Sequence, residues 1–275
     1  FYFVFGNHFD VALTGSIYTL GSWNAKLNSR YKKKYAFDGN ISLTYSVDKS
    51  GEKDSPDYSE SSNFAVSWSH SQDSKARPGT SFRASVNFAS PSNNKYNSDN
   101  IQQALQNQMS SSISYSKTWT GMSMSVNASH SQNSRDSSYA ITFPNITFTV
   151  NRFFPFKRKN GVGSEKFYEK ISLSYNSSMQ NKINFKVKEL KDMNIMDRLQ
   201  NGMTHNFAIG LPSFTILNYI QAAPSISYGM NWYFREQTKR YDPETDQVIT
   251  EMTPQFSRFG ISQTYSAGIS FSTRI

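Results

Sequence analysis

Ile41-Ser42-Leu43-Thr44-Tyr45-Ser46-Val47 decides the fold. Ile41, Leu43, Tyr45 and Val47 take the odd positions and the hydroxyls of Ser42, Thr44 and Ser46 the even ones. Period two is the signature of a β-strand, because successive side chains leave opposite faces of a pleated ribbon. The alternation returns along the chain. Phe64, Val66 and Trp68 alternate with Ala65, Ser67 and Ser69, and Phe82, Ala84, Val86 and Phe88 with Arg83, Ser85 and Asn87. Ile113, Tyr115 and Trp119 oppose Ser112, Ser114, Ser116 and Thr118, while Met122, Met124, Val126 and Ala128 oppose Ser123, Ser125, Asn127 and Ser129. Late in the chain Ile226, Tyr228, Met230, Trp232 and Phe234 oppose Ser225, Ser227 and Asn231. Nothing comparable repeats at helical spacing. Ile101 to Met109 and Glu189 to Leu199 read as small loop helices between strands.

The second face is mostly Ser, Thr and Asn, which suits water or hydrogen-bonding partners better than a dry core. A β-sandwich shows the same period, with its apolar face turned into a core. Two features favour a transmembrane barrel. Strand ends carry aromatics (Trp68, Tyr115, Trp119, Trp232, Tyr233, Phe234), as at the headgroup level of a bilayer. Short links (Lys32-Lys33-Lys34, Lys75 to Gly79, Thr120-Gly121) also alternate with long polar ones (Asp48 to Ser62, Ser90 to Gln108), although Leu20-Gly21-Ser22 is a tight turn on the long-loop side. The expected fold is therefore all-β, an antiparallel transmembrane β-barrel of which this chain holds roughly 12–14 strands. Phe64, Val66, Trp68, Phe82, Val86, Ile113 and Tyr115 are expected to face lipid. Asp242-Pro243-Glu244-Thr245-Asp246 should close a late hairpin, and Phe143-Pro144-Asn145 should kink a strand or turn between two.

Composition agrees. The chain has 275 residues, 37% hydrophobic and 15% aromatic, with no Cys. That aromatic load argues against disorder. No run of about 18 apolar residues marks a transmembrane helix, and the absent Cys excludes a disulfide scaffold and a thiolate metal site. The net charge of +9 fits anionic lipid, a phosphorylated ligand or simply solvated loops rich in Lys. The chain opens Phe1-Tyr2-Phe3 with no signal peptide and stops at Arg274-Ile275 directly after a strand pattern. Residues 1–275 are thus expected to be one barrel segment of a longer outer-membrane protein.

Particular residues carry a family resemblance. Tyr2-Phe3, Asn7 with Asp10, Tyr18 followed by Gly21, Arg30-Tyr31 and the strand from Gly39 to Tyr45 resemble, in that order, the barrel of the lipopolysaccharide-assembly outer-membrane protein family, LptD. Ser131 to Ser137, Phe143-Pro144-Asn145, Phe154 to Lys159 and Glu165 to Ile171 look like its Bacteroidetes branch. The resemblance covers most of residues 1–180. It implies lipopolysaccharide export to the outer leaflet of the bacterial outer membrane. It further implies a periplasmic β-jellyroll feeding lipid from a periplasmic bridge, a lateral opening between first and last strands, and a small plug lipoprotein, LptE. The sequence contains no jellyroll and no Cys for the disulfides of some members, and neither gate strand is expected in it.

Arg152, Lys157, Arg158, Lys159, Lys166 and Lys170, interleaved with Phe153, Phe154 and Phe156, make a basic connection. It suits lipid phosphates, core sugars or a lipoprotein partner, since charge-assisted contacts to phosphate oxygens are strong. The plainer reading, a structured turn near the membrane surface, is preferred for it and for Lys32, Lys33 and Lys34. His8, His70, His130 and His205 lack metal-motif spacing, and no Gly-x-Ser-x-Gly elbow accompanies the abundant Ser. No enzyme, cofactor or metal is therefore expected. The scattered cations disfavour nucleic acid. The expected partners are lipopolysaccharide, an LptE-like plug, periplasmic bridge components and membrane lipid. A generic porin or uptake barrel is the alternative, and a secreted β-sandwich adhesin a third.

Overall fold

The computed structural model describes residues 1–93, 107–159, 163–191, 194–216, 219–254 and 256–273. Alternation becomes strand throughout. The strands are β1 (Tyr2–Phe5), β2 (Phe9–Ile17), β3 (Trp23–Lys33), β4 (Phe37–Ser50), β5 (Ser59–Gln72), β6 (Thr80–Ala89), β7 (Gln108–Trp119) and β8 (Met122–Asn133). They continue as β9 (Ser138–Phe153), β10 (Ser172–Lys186), β11 (Gln200–Gly210), β12 (Phe214–Ile216), β13 (Ile220–Tyr233), β14 (Gln237–Asp242), β15 (Gln247–Met252) and β16 (Gly260–Thr273). Fourteen of them form one antiparallel sheet, β1 to β11 in sequence order, the hydrogen-bonding pattern of a partial β-barrel. β11 and β12 share one edge of β13, and β16 takes the other. β14 and β15 pair only with each other, as the hairpin expected around Pro243; Asp242 closes its turn by accepting from Glu244 N (3.2 Å) and Thr245 Oγ1 (2.8 Å).

The chain packs as two compact units. Unit 1 comprises Phe1–Lys117, Val126–Phe143 and Lys182–Asn194; unit 2 comprises Thr118–Ser125, Pro144–Asn181 and Ile195–Ile275.

Several boundaries differ from the sequence reading. The connection expected from Asp48 to Ser62 shrinks to residues 51–58, because β4 and β5 keep pairing as far as Ser50 and Ser59. Lys32 and Lys33 lie inside β3, and the turn is Lys34-Tyr35-Ala36. Trp68 and Tyr115 sit within strands, not at their ends. Residues 101–106 of the proposed loop helix lie outside the described residues, and Gln108 and Met109 belong to β7. Of the other, only a 3-10 turn (Val187–Glu189) and one α-helical turn (Ile195–Arg198) form among the described residues. The two-residue turn Thr120-Gly121 forms as read, with Gly121 supplying the positive φ of +81°.

Pro144 does not end a strand: β9 runs straight through it. Proline offers no N–H to the ladder, and its carbonyl is met by a side chain, Asn181 Nδ2, at 3.2 Å. The Tyr139 ring stacks on Phe185, while beyond Pro144 Asn176 Nδ2 donates to Thr149 Oγ1. β9 therefore advances ten residues between these pairs and β10 nine. One extra residue is what a β-bulge inserts, and it explains why the apolar pattern resumes out of phase at Ile146, Phe148 and Val150.

Candidate functional site

Register sorts the side chains of unit 1 onto two faces. Leu13 pairs with Leu27, Leu27 with Leu43, Leu43 with Val66 and Val66 with Phe88, so one apolar row crosses five strands. Parallel rows carry Ala25, Tyr45 and Phe64, then Ile41, Trp68 and Val86, then Phe82 and Tyr115. All seven residues expected to face lipid lie on this face. Many of its side chains are more than a third exposed, among them Leu13, Leu43, Tyr45, Phe64 and Tyr115. A water-soluble sheet covers such a face with a second layer; among the described residues nothing does.

The opposite face carries hydroxyls, amides and charges. Ser42 Oγ donates to Asn28 Oδ1 at 2.7 Å, and Ser69 Oγ bonds Asn40. Asn63, fully buried, is the node of a network near the β4–β5 connection. Its amide donates to Asp48 Oδ2 (2.9 Å), and its carbonyl accepts from Ser90 Oγ (3.1 Å) and Ser92 Oγ (2.5 Å). Ser46 Oγ also reaches Asp48. Full satisfaction of this kind is what lets an amide be buried at all. Toward the other end of the same face, Tyr2, Asp10, Asn28, Arg30, Lys32 and Asp38 line a groove of about 890 Å³.

Unit 2 repeats the partition. Phe148, Tyr175, Phe207, Tyr228 and Tyr265 form a file of rings across β9, β10, β11, β13 and β16, with successive centroids 6.2, 4.7, 5.8 and 4.9 Å apart. Such tilted and stacked pairs add to area burial.

The described parts of the basic connection, residues 154–159 and 163–171, are stapled to each other. Glu169 is 2% exposed; the Arg158 guanidinium grips its carboxylate in two places, and the backbone N–H groups of Lys166 (2.6 Å) and Arg158 (3.3 Å) complete the cage. These donors, the Arg158 side chain first and the Lys166 amide next, pull the Glu169 carboxyl from 4.5 down to about 2. Lys157 pairs with Glu165 at 2.8 Å, which raises the ammonium's pKa. Two of the six expected lipid-phosphate or partner contacts are thus engaged with carboxylates, while Arg152, Lys159, Lys166 and Lys170 are exposed. The folded carboxyl titrates below the unfolded one, so the staple's contribution is complete above pH 4.5 and is lost as pH falls toward 2. Hydrogen exchange at the Arg158 and Lys166 amides, corrected for its intrinsic pH dependence, should stay slow above pH 4.5 and accelerate below it. A flat profile contradicts the assignment.

The family model described as LptD protein matches residues 1–275. The chain belongs to the LptD family. No curated protein matches it. LptD membership carries a role in lipopolysaccharide transport and assembly at the outer membrane, which accords with a sheet that is apolar on one face and polar on the other. No helix among the described residues is long and apolar enough to cross a membrane, which leaves crossing by strands untouched. Nor does any group of three or more His, Asp or Glu among them suit a metal ion.

Features of this LptD wall that sequence did not reveal are its histidine clusters. Trp68 Nε1 donates to Tyr31 Oη at 2.7 Å, and that hydroxyl bonds His70 Nδ1 at 2.9 Å, with Phe37 stacked on the imidazole and Phe82 tilted against it. Tyr175 Oη bonds His205 Nδ1 at 2.7 Å, and Trp232 lies 4.3 Å from the His205 ring. The partners of His70 and His130, 39 and 19 residues away, were not legible in the sequence.

Proposed function

We propose that this LptD-family chain forms wall of the translocon that inserts lipopolysaccharide into the outer leaflet, with its apolar face against acyl chains and its hydroxyl-lined face along the path of the saccharide. The observation that supports this reading is the cross-strand register of unit 1, in which Leu13, Leu27, Leu43, Val66 and Phe88 fall on one side and Asn28, Ser42, Ser67 and Asn87 on the other. Many weak, exchangeable hydrogen bonds suit a sliding sugar chain. Phe64, Val66, Trp68, Phe82, Val86, Ile113 and Tyr115 contact lipid in this reading. An LptE-like lipoprotein plugs the lumen, and periplasmic bridge components deliver the lipid. The reading assigns the chain no catalytic step.

A photo-crosslinking residue at Ser42 or Ser67 should yield lipopolysaccharide adducts in living cells, and adducts should vanish when delivery from the periplasm is blocked. Folded barrel without adducts, together with passage of small solutes, would instead favour a porin.

A further inference from the structure

Four aromatic side chains stand exposed on the connection between β9 and β10: Phe154 (43%), Phe156 (55%), Phe167 (67%) and Tyr168 (44%). Cations sit beside two of them, with Lys157 Nζ 5.8 Å from the Phe154 ring and Lys166 Nζ 6.0 Å from the Tyr168 ring. The buried Glu169 ties Arg158, beside the Phe154 and Phe156 rings, to Lys166, beside Phe167 and Tyr168. Exposed rings interleaved with Lys and Arg are costly in water and at home at a headgroup layer, where the ring body meets acyl chain and the cation meets phosphate.

A second observation comes from charge along the strands. Successive connections of an antiparallel meander fall at alternate ends. In unit 1 the end with the short turns holds Lys32, Lys33, Lys34, Lys75 and Arg77 against Asp38 and Asp73, whereas the β4–β5 end holds Asp48, Glu52, Asp54, Asp57, Glu60, Asp136 and Glu189 against Lys49, Lys53, Arg135, Lys186, Lys188 and Lys191. In unit 2, Asn151 N donates to Gly121 O at 2.8 Å, which puts the end of β9 beside the two-residue turn. That end carries Arg152, Lys157, Arg158, Lys159, Lys166 and Lys170 against Glu165 and Glu169. The β13–β16 segment carries Glu236, Asp242, Glu244, Asp246 and Glu251 against Arg235, Lys239, Arg240 and Arg258. Each unit, taken singly, is basic at its short-turn end and close to neutral at the other, the distribution a charged leaflet favours.

We infer that the connection formed by residues 154–159 and 163–171 is an interfacial anchor that seats its end of unit 2 on anionic phospholipid headgroups. This rests on the membrane-spanning reading above. Arg152, Lys159, Lys166 and Lys170 supply the phosphate contacts, Phe156 and Phe167 the insertion, and the Arg158–Glu169 pair the rigidity.

The full chain, folded into phosphatidylcholine vesicles with and without phosphatidylglycerol and then extracted, should retain phosphatidylglycerol preferentially by native mass spectrometry. The variant Arg152→Gln, Lys159→Gln, Lys166→Gln, Lys170→Gln should retain on the order of tenfold less. Lys159→Gln with Lys170→Gln, a smaller change, should move the same way. Phe156→Ser with Phe167→Ser should lower retention of both lipids, and Lys239→Gln with Arg240→Gln should change nothing. No phosphatidylglycerol preference, or an equal loss from the hairpin variant, overturns the anchor. Retained lipid with lost crosslinks to a periplasmic protein overturns it in favour of a protein surface. A chain that enters neither kind of vesicle overturns the membrane reading itself, a result distinct from all the others.

Discussion

Val66→Arg is expected to destabilise the folded chain in a bilayer by about 2–4 kcal/mol, the depth-dependent cost of a lipid-facing cation near the midplane. Val66 lies between Leu43 and Phe88 in the apolar row of unit 1, midway along β5, with no acidic residue among its cross-strand partners. An arginine there must either stay in hydrocarbon or snorkel past its apolar neighbours on the same face, Phe64 or Trp68. Ser67→Arg, one position on, turns the same charge to the opposite face, where Ser42 and Asn87 are the neighbours. Its cost should be within about 1 kcal/mol. Urea unfolding of vesicle-inserted protein measures both. Equal costs for the two substitutions would mean that the faces do not differ in medium, and the membrane reading would fall.

The difference between Val66 and Ser67 was legible in the sequence because period two is imposed by the backbone itself. Strand ends were harder to read. Residues such as Asp48, Lys49, Ser50, Ser59 and Glu60 are polar on both faces, which resembles a loop, yet they pair fully. Alternation is enforced only where one side meets lipid, so it fades where strands run on beyond it. Pro144 was half legible for a related reason. Its missing donor and the phase change around it fit a kinked strand or a tight turn between two, and the unbroken β9, with Asn181, 37 residues away, meeting the Pro144 carbonyl, excludes the turn. The basic connection shows the same limit. Arg158 and Glu169 are both charged letters in a charged stretch, and only folding reveals that they enclose one another while Lys159 and Lys170 remain exposed. Composition gives the sign of a patch; pairing gives the number of charges left for a partner.

Gly39→Ala should destabilise the chain by about 1–3 kcal/mol, the range for forcing an added methyl into a packed site. Alanine normally stabilises a strand relative to glycine, which loses more backbone freedom on folding. Gly15 of β2, on the same face, illustrates the ordinary case. A Cβ there would meet its nearest neighbour, Asn24 O, at 3.5 Å, so Gly15→Ala should be neutral or mildly stabilising. At Gly39 a Cβ would lie 2.4 Å from the Tyr31 ring and 2.5 Å from the carbonyl oxygen of Ser69. The ring can swing aside only by giving up the Trp68–Tyr31–His70 hydrogen bonds, and the carbonyl belongs to the β4–β5 ladder. Tyr31→Ala should therefore relieve part of the Gly39→Ala penalty, and the double-mutant cycle should show favourable coupling. Two substitutions that simply add would mean that Tyr31 does not lie over Gly39. The glycine would then mark only a weak point in the strand, and the ring cluster around His70 would lose its floor.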